Sequence, residues 1–113
     1  MTVTRIQTGP RMSQAVIHGG VVYTAGQVAV GDSASEQTAD ILAQIDALLA
    51  EAGTDKSKLL TANIWLSDIK YFKDMNLVWD AWVSPGNTPA RACVEAKLAR
   101  DDLLVEIMVT AAV

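Results

Sequence analysis

The sequence predicts an α+β domain in which two helices cover one face of a mixed β-sheet. Three observations carry this. Apolar residues recur at helical spacing in two stretches, and β-rich runs with strand-like alternation account for most of the rest. The two kinds of stretch are interleaved, in the order β-β-α-β-α-β-β. Turn residues separate them: Gly19-Gly20, Gly53, residues 84–89 and Arg100-Asp101-Asp102.

The first pair of strands is read from Ser13–His18 and residues 21–27, both rich in Val, Ile, Tyr and Thr. Gly19-Gly20 between them suits the positive φ angles of a tight hairpin. Ser33-Ala34-Ser35-Glu36 matches a capping box and announces a helix. Ala39, Ile41, Leu42, Ile45, Leu48, Leu49 and Ala52 then form one apolar stripe, and Gly53 is a natural stop. Leu59–Leu66 reads as a strand with Leu60, Ala62, Ile64 and Leu66 on one face. Asp68 is a candidate cap for a second helix, with Phe72, Met75, Trp79 and Trp82 on its apolar stripe. Residues 90–96 and 103–113 close the chain as two strands.

At 113 residues the chain fits a single domain spanning 1–113. Half of its residues are hydrophobic, too many for a disordered chain. No apolar run approaches the roughly 18 residues of a membrane span, and no secretion signal is visible, so the expectation is a soluble, cytoplasmic protein. Nine Lys and Arg against thirteen Asp and Glu give a net charge of −4. That balance argues against a nucleic-acid partner, whose footprint is a basic patch. One Cys excludes an internal disulfide, and with one His it excludes a Cys/His zinc site, so no metal is expected. Charged residues make up only 19% of this small chain. Some apolar surface is therefore expected to be covered by further subunits.

The strand alternation also picks out candidate functional residues. In residues 103–113 the stripe Leu103, Val105, Ile107, Val109 and Ala111 faces the helices, leaving Leu104, Glu106, Met108 and Thr110 on the other side. In residues 90–96 the small apolar Ala90, Ala92 and Val94 alternate with Arg91, Cys93 and Glu95. If both strands give their apolar faces to the helices, Arg91 and Glu106 emerge together on the uncovered side. Each has a plain reading as a solvated residue or a structural ion pair. Two features favour function: Arg91 follows a Pro-bearing loop, and Cys93, Met108 and Trp65 are expected to share the uncovered face. His18 reads as a turn residue, Cys93 as a small hydrophobe and Trp79/Trp82 as core.

Pro89-Ala90-Arg91-Ala92-Cys93-Val94-Glu95, followed by Val105-Glu106-Ile107, resembles the C-terminal signature of the RidA (YjgF) family. Gly9-Pro10, Thr24-Ala25-Gly26-Gln27 and the spacing of both helices fit as well. The stretch Asn76-Leu77-Val78-Trp79-Asp80-Ala81-Trp82-Val83 resembles the YoaB-like branch. The resemblance implies a chorismate-mutase-like fold and a homotrimeric barrel with clefts between subunits. It implies cofactor-independent hydrolysis of reactive 2-enamine and 2-imine acids, of the 2-aminoacrylate type, to 2-keto acids and ammonia. Arg91 then holds the substrate carboxylate and Glu106 positions water or moves its proton. The Cys93 backbone, Asn76, Ala25 and Gly26 correspond to positions that bind substrate or line the cleft.

The chain departs from the family pattern at two places. Arg11 follows Gly9-Pro10 where well-known members carry Tyr, and Ala25 replaces a Ser. Both changes remove hydroxyls from the expected cleft. Arg11 is either a second carboxylate anchor or a plain surface cation. Two other functions compete: a non-catalytic binder or sensor of 2-keto acids, and an endoribonuclease or translation inhibitor, the latter disfavoured by the charge and the lone His.

Overall fold

The computed structural model describes residues 2–113. Six strands and two helices appear in the order β1 (Thr4–Thr8), β2 (Ser13–His18), β3 (Val21–Thr24), α1 (Ala34–Glu51), β4 (Leu59–Leu66), α2 (Phe72–Trp82), β5 (Ala90–Glu95) and β6 (Val105–Ala112). The strands form one sheet, ordered β1-β2-β3-β6-β4-β5. All pairs are antiparallel except β4 and β5, which are parallel. The α+β class and the mixed sheet are as the sequence predicts.

The hairpin joining β2 and β3 turns at Gly19 and Gly20, with φ of 60° and 78°, values open to glycine at little steric cost. Helix α1 is capped by Ser33, whose Oγ accepts from the Glu36 N–H at 3.1 Å. The reciprocal arm differs from an ideal box, since Glu36 Oε2 accepts from the N–H of Asp32, one residue before the cap. Gly53 ends the helix at φ 86°. Ser33→Ala is expected to lower stability by about 1 kcal/mol in denaturant titration, as for other N-cap deletions.

The core lies between the helices and one face of the sheet. Ile41, Leu42, Ile45, Leu48 and Leu49 of α1, with Met75 and Trp79 of α2, pack on Val22, Ala62, Ile64, Leu66, Val105, Ile107, Val109 and Ala111. Along β6 burial alternates strictly, with the odd-numbered residues buried. Gln37 sits fully buried among these apolar groups. Its Nε2 donates to the carbonyls of Gly31 and Asp102, and its Oε1 accepts from the Leu104 N–H at 2.8 Å. One amide thus ties the α1 start to the chain entering β6. Gln37→Ala leaves these groups unpaired and is expected to cost about 2 kcal/mol in chemical unfolding.

Ala39, Leu60 and Phe72, read on the apolar stripes, are exposed; in β4 a register shift between Leu59 and Thr61 places Leu59 in the core in place of Leu60. Four further sequence expectations need correction. Strand β1 has no counterpart in the sequence pattern, because only Ile6 of its five residues is buried and the alternation is too weak to read. The third strand stops at Thr24, short of the expected residue 27, although Gln27 still bridges to Ile107. Asp68 caps a short 3₁₀ turn (Ile69–Tyr71) that leads into α2, rather than α2 itself.

The fourth correction concerns β5. Its parallel register pairs Ala62 with Arg91 and Ile64 with Cys93. Paired residues share a face, and Ala62 and Ile64 face the helices. Arg91, Cys93 and Glu95 therefore lie on the helix side, and Ala90, Ala92 and Val94 on the open side. Glu106, paired across β4 with Trp65, lies on the open side. Arg91 and Glu106 are on opposite faces of the sheet.

Candidate functional site

The residues singled out in the sequence fall into two groups. The first is built on the sheet edge. Arg91, early in β5, is exposed, because no residue of this edge strand is fully buried. Its Nη1 donates to Asn76 Oδ1 at 2.8 Å, and its guanidinium carbon stands 5.3 Å from the centre of the Trp79 ring. Asn76 and Trp79 are three residues apart on α2, which puts them on one helix face. The ring carries the guanidinium and the amide fixes its rotation, leaving other N–H donors free. Arg91 forms no ion pair with a carboxylate among the described residues. The role of Trp79 escaped sequence reasoning, which treated it as core. It is core as well, 4% exposed, and the Asn76-to-Trp79 spacing was the available signal.

Cys93 lies two residues along the same face, half-buried against the core. Burial pushes its thiol pKa above the ordinary value, and the nearby Arg91 charge only partly opposes this. The sulfur therefore stays protonated at neutral pH and is a poor nucleophile. Alkylation by iodoacetamide at pH 7 is expected to run slower than for a free thiol. Its rate should rise with pH only above the usual thiol range, read by mass spectrometry.

The second group surrounds Glu106 on the open face. Glu106 is half-buried beside Trp65, with Met108 and Thr110 further along its strand. Gly26 packs directly on its carboxylate: a Cβ at this glycine falls 2.0 Å from Glu106 Oε2. The Gly26 backbone cannot readily retreat. The Ala25 N–H donates to the Gln14 carbonyl at 2.8 Å, and Gln27 exchanges two backbone hydrogen bonds with Ile107. Of the candidate residues, Ala25, Gly26 and Glu106 are thus brought together, apart from Arg91, Asn76 and Cys93.

The two groups do not meet within one chain. Strands β6, β4 and β5 are consecutive, so Glu106 and Arg91 are two strand spacings apart, roughly 10 Å across the sheet, and the registers through Trp65 and Ala62 offset them by three residues, about another 10 Å along it, besides facing them opposite ways. Arg11, exposed in the turn between β1 and β2, lies at the other edge of the sheet. A cleft of about 510 Å³ is lined by Ser67, Glu95, Lys97, Leu98, Arg100 and neighbours, and contains neither Arg91 nor Glu106. Among the described residues no group of three His, Cys, Asp or Glu side chains is placed to hold a metal ion, and no helix is long and apolar enough to cross a membrane.

The fold and the residue pattern have close counterparts among known proteins. A family model described as Endoribonuclease L-PSP matches residues 2–113. The chain belongs to this family, the YjgF/RutC family. RutC family protein YoaB of Escherichia coli K12 is 46% identical over 114 residues, covering 100% of both chains. A RutC family protein of Haemophilus ducreyi is 43% identical over 113 residues, covering 98% of this chain and 97% of its own. The crystal structure of a YjgF family member from Neisseria meningitidis superposes with a TM-score of 0.97 at 52% identity, covering 99% of this chain and 95% of that one. The resemblance carried by residues 89–95 and 105–107 thus extends over the whole YjgF chain, and its likeness to YoaB is likewise upheld.

Proposed function

We propose that this YjgF family protein hydrolyses reactive 2-imino and 2-enamino acids to 2-keto acids and ammonia. The observation that carries the reading is Arg91: a guanidinium set by Asn76 and Trp79, with its remaining donors aimed at no protein carboxylate. A substrate carboxylate completes it. Bidentate pairing there fixes the plane of the adjacent C=N carbon. Water adds to that carbon, giving a tetrahedral aminoalcohol. Glu106 takes a proton from the water and returns it to nitrogen. Glu106 then takes the hydroxyl proton of the aminoalcohol and passes it to the nitrogen as the C–N bond breaks, so that ammonia leaves and the carbonyl forms. The imine is already electrophilic, so orientation beside one held water supplies much of the acceleration. Neither a metal nor an organic cofactor enters these steps.

The separation of Arg91 from Glu106 leads to an assembly. The proposed active form is a homotrimer, with the sheet edge of one copy set against the open face of another. Arg91 of one subunit and Glu106 of its neighbour then line one cleft. Val94 and Tyr23 are large hydrophobic side chains on the open face, 51% and 46% exposed, and the sparse charge of the chain suits burial there. The setting is a cytoplasmic one, where imines released by pyridoxal-phosphate enzymes would be the substrates.

The test generates 2-aminoacrylate with a serine dehydratase and follows pyruvate formation. Added protein is expected to accelerate the release of pyruvate. No acceleration over buffer with several parent amino acids overturns the reading. The division of the site between two faces gives one competing reading its footing: a binder of 2-keto acids that uses Arg91 without turnover. It requires calorimetric binding that vanishes in Arg91→Ala, with no hydrolysis. Endoribonuclease activity fits less well, since the chain carries −4 and the open face presents Glu106 rather than a basic patch.

A further inference from the structure

Away from Arg91 and Glu106, a cleft of about 310 Å³ opens between α1 and the start of the sheet. Its lining is four glutamines, Gln7, Gln14, Gln27 and Gln44, with Ala47 and Leu48. No charged residue lines it. The glutamines come from four separate segments: β1, β2, the chain after β3, and α1. Gln27 is only 6% exposed, and both hydrogens of its Nε2 are used, one to Gln14 Oε1 at 3.0 Å and one to the Ala25 carbonyl at 3.1 Å. This fixes the orientation of the amide and turns Oε1 the other way. No protein donor reaches that Oε1 among the described residues, yet every fully enclosed side-chain polar atom has a partner. The Gln27 Oε1 therefore faces the cleft as an unpaired acceptor in a mostly buried side chain. Gln14 Oε1 is held by Gln27, which leaves the Gln14 Nε2 as a neighbouring donor. Gln44 is anchored through Nε2 on the Val28 carbonyl. At the mouth, Gln7 holds a φ of 52°, the only positive value outside glycine among the described residues.

We infer that this glutamine-lined cleft is a second binding site, for a neutral ligand that presents an N–H and a C=O side by side, as a lactam or other cis amide does. The N–H answers the Gln27 acceptor and the C=O answers the Gln14 donor. A charged ligand is excluded, because the cleft has no counter-charge to offset its desolvation. The site thus differs in ligand class from the carboxylate anchor at Arg91, and it stands whether or not that anchor supports turnover. The volume is at the lower end of the range for small-molecule sites and suits a single ring with substituents.

The probe is 2-pyrrolidinone, with N-methyl-2-pyrrolidinone, which lacks the N–H, as its control. Binding is read from the glutamine side-chain amide signals in nitrogen-15-labelled protein. Saturable shifts of the Gln14 and Gln27 amides are expected with the lactam in the millimolar range, and at least about tenfold weaker ones with the N-methyl compound. Pyruvate should leave these signals unmoved. Gln44→Leu, at a half-buried position of α1 where leucine is a good helix former, removes the hydrogen bond to the Val28 carbonyl that holds this wall of the cleft, and should weaken the lactam response at least threefold while circular dichroism shows the fold preserved. Absence of saturation, equal response to both compounds, or an unchanged response in Gln44→Leu each overturns the inference.

Discussion

Replacing Arg91 with alanine is expected to lower kcat/KM for imine hydrolysis by about 1,000-fold, roughly 4 kcal/mol of transition-state stabilisation. The magnitude follows from the loss of two charge-assisted hydrogen bonds to one carboxylate in the proposed cleft between subunits. The fold should be little affected, because Arg91 is exposed on an edge strand and covers only the outer face of Trp79. Thermal unfolding checks that point. Calorimetry with a 2-keto acid should show no binding in Arg91→Ala. Arg91→Lys keeps the charge but loses the planar fork, and about a tenfold deficit is expected. Unaltered keto-acid affinity in Arg91→Ala would show that the carboxylate is held elsewhere.

Gly26→Ala is expected to have the next largest effect, about a 100-fold fall in kcat with little change in KM. The added Cβ lies 2.0 Å from Glu106 Oε2 and 2.9 Å from its Cδ, well inside contact distance. The backbone around Gly26 is pinned by Ala25 to Gln14 and by Gln27 to Ile107. The carboxylate must therefore rotate away, and it can, because it ends a flexible side chain. Stability should change little, while the acid–base group is displaced. Glu106→Gln should show a loss of similar size. The double substitution should be no worse than either alone, since both remove the same placed carboxylate. Additive losses would mean that Gly26 acts through something other than Glu106.

Much of the fold was legible because its signals are local. The α1 stripe from Ile41 to Leu49, the Ser33 cap and the Gly53 stop needed no tertiary information. The alternation Val105, Ile107, Val109, Ala111 marked a buried face in a central strand, and the structure buries all four. Strand β1 left no such trace, with one buried residue in five. The glutamine cluster was equally silent, because Gln7, Gln14, Gln27 and Gln44 come together only when α1 packs over the sheet.

The facing of β5 shows where local reading ends. Ala90 to Glu95 alternates small apolar with polar residues, and composition favoured turning the alanines inward. A strand has a side-chain period of two, so a one-residue change of register exchanges its faces. At this sheet edge no helix covers the strand fully, and burial exerts only a weak preference. The pairing of Ala62 with Arg91, set by the α2 crossover, decides the matter instead. By itself the sequence determined the α+β class, the limits of α1, the family and the choice of Arg91 and Glu106 as the candidate functional residues of their strands. Only the tertiary structure decided that these two point to opposite sides of the sheet, because facing at an edge strand is a property of register and not of composition.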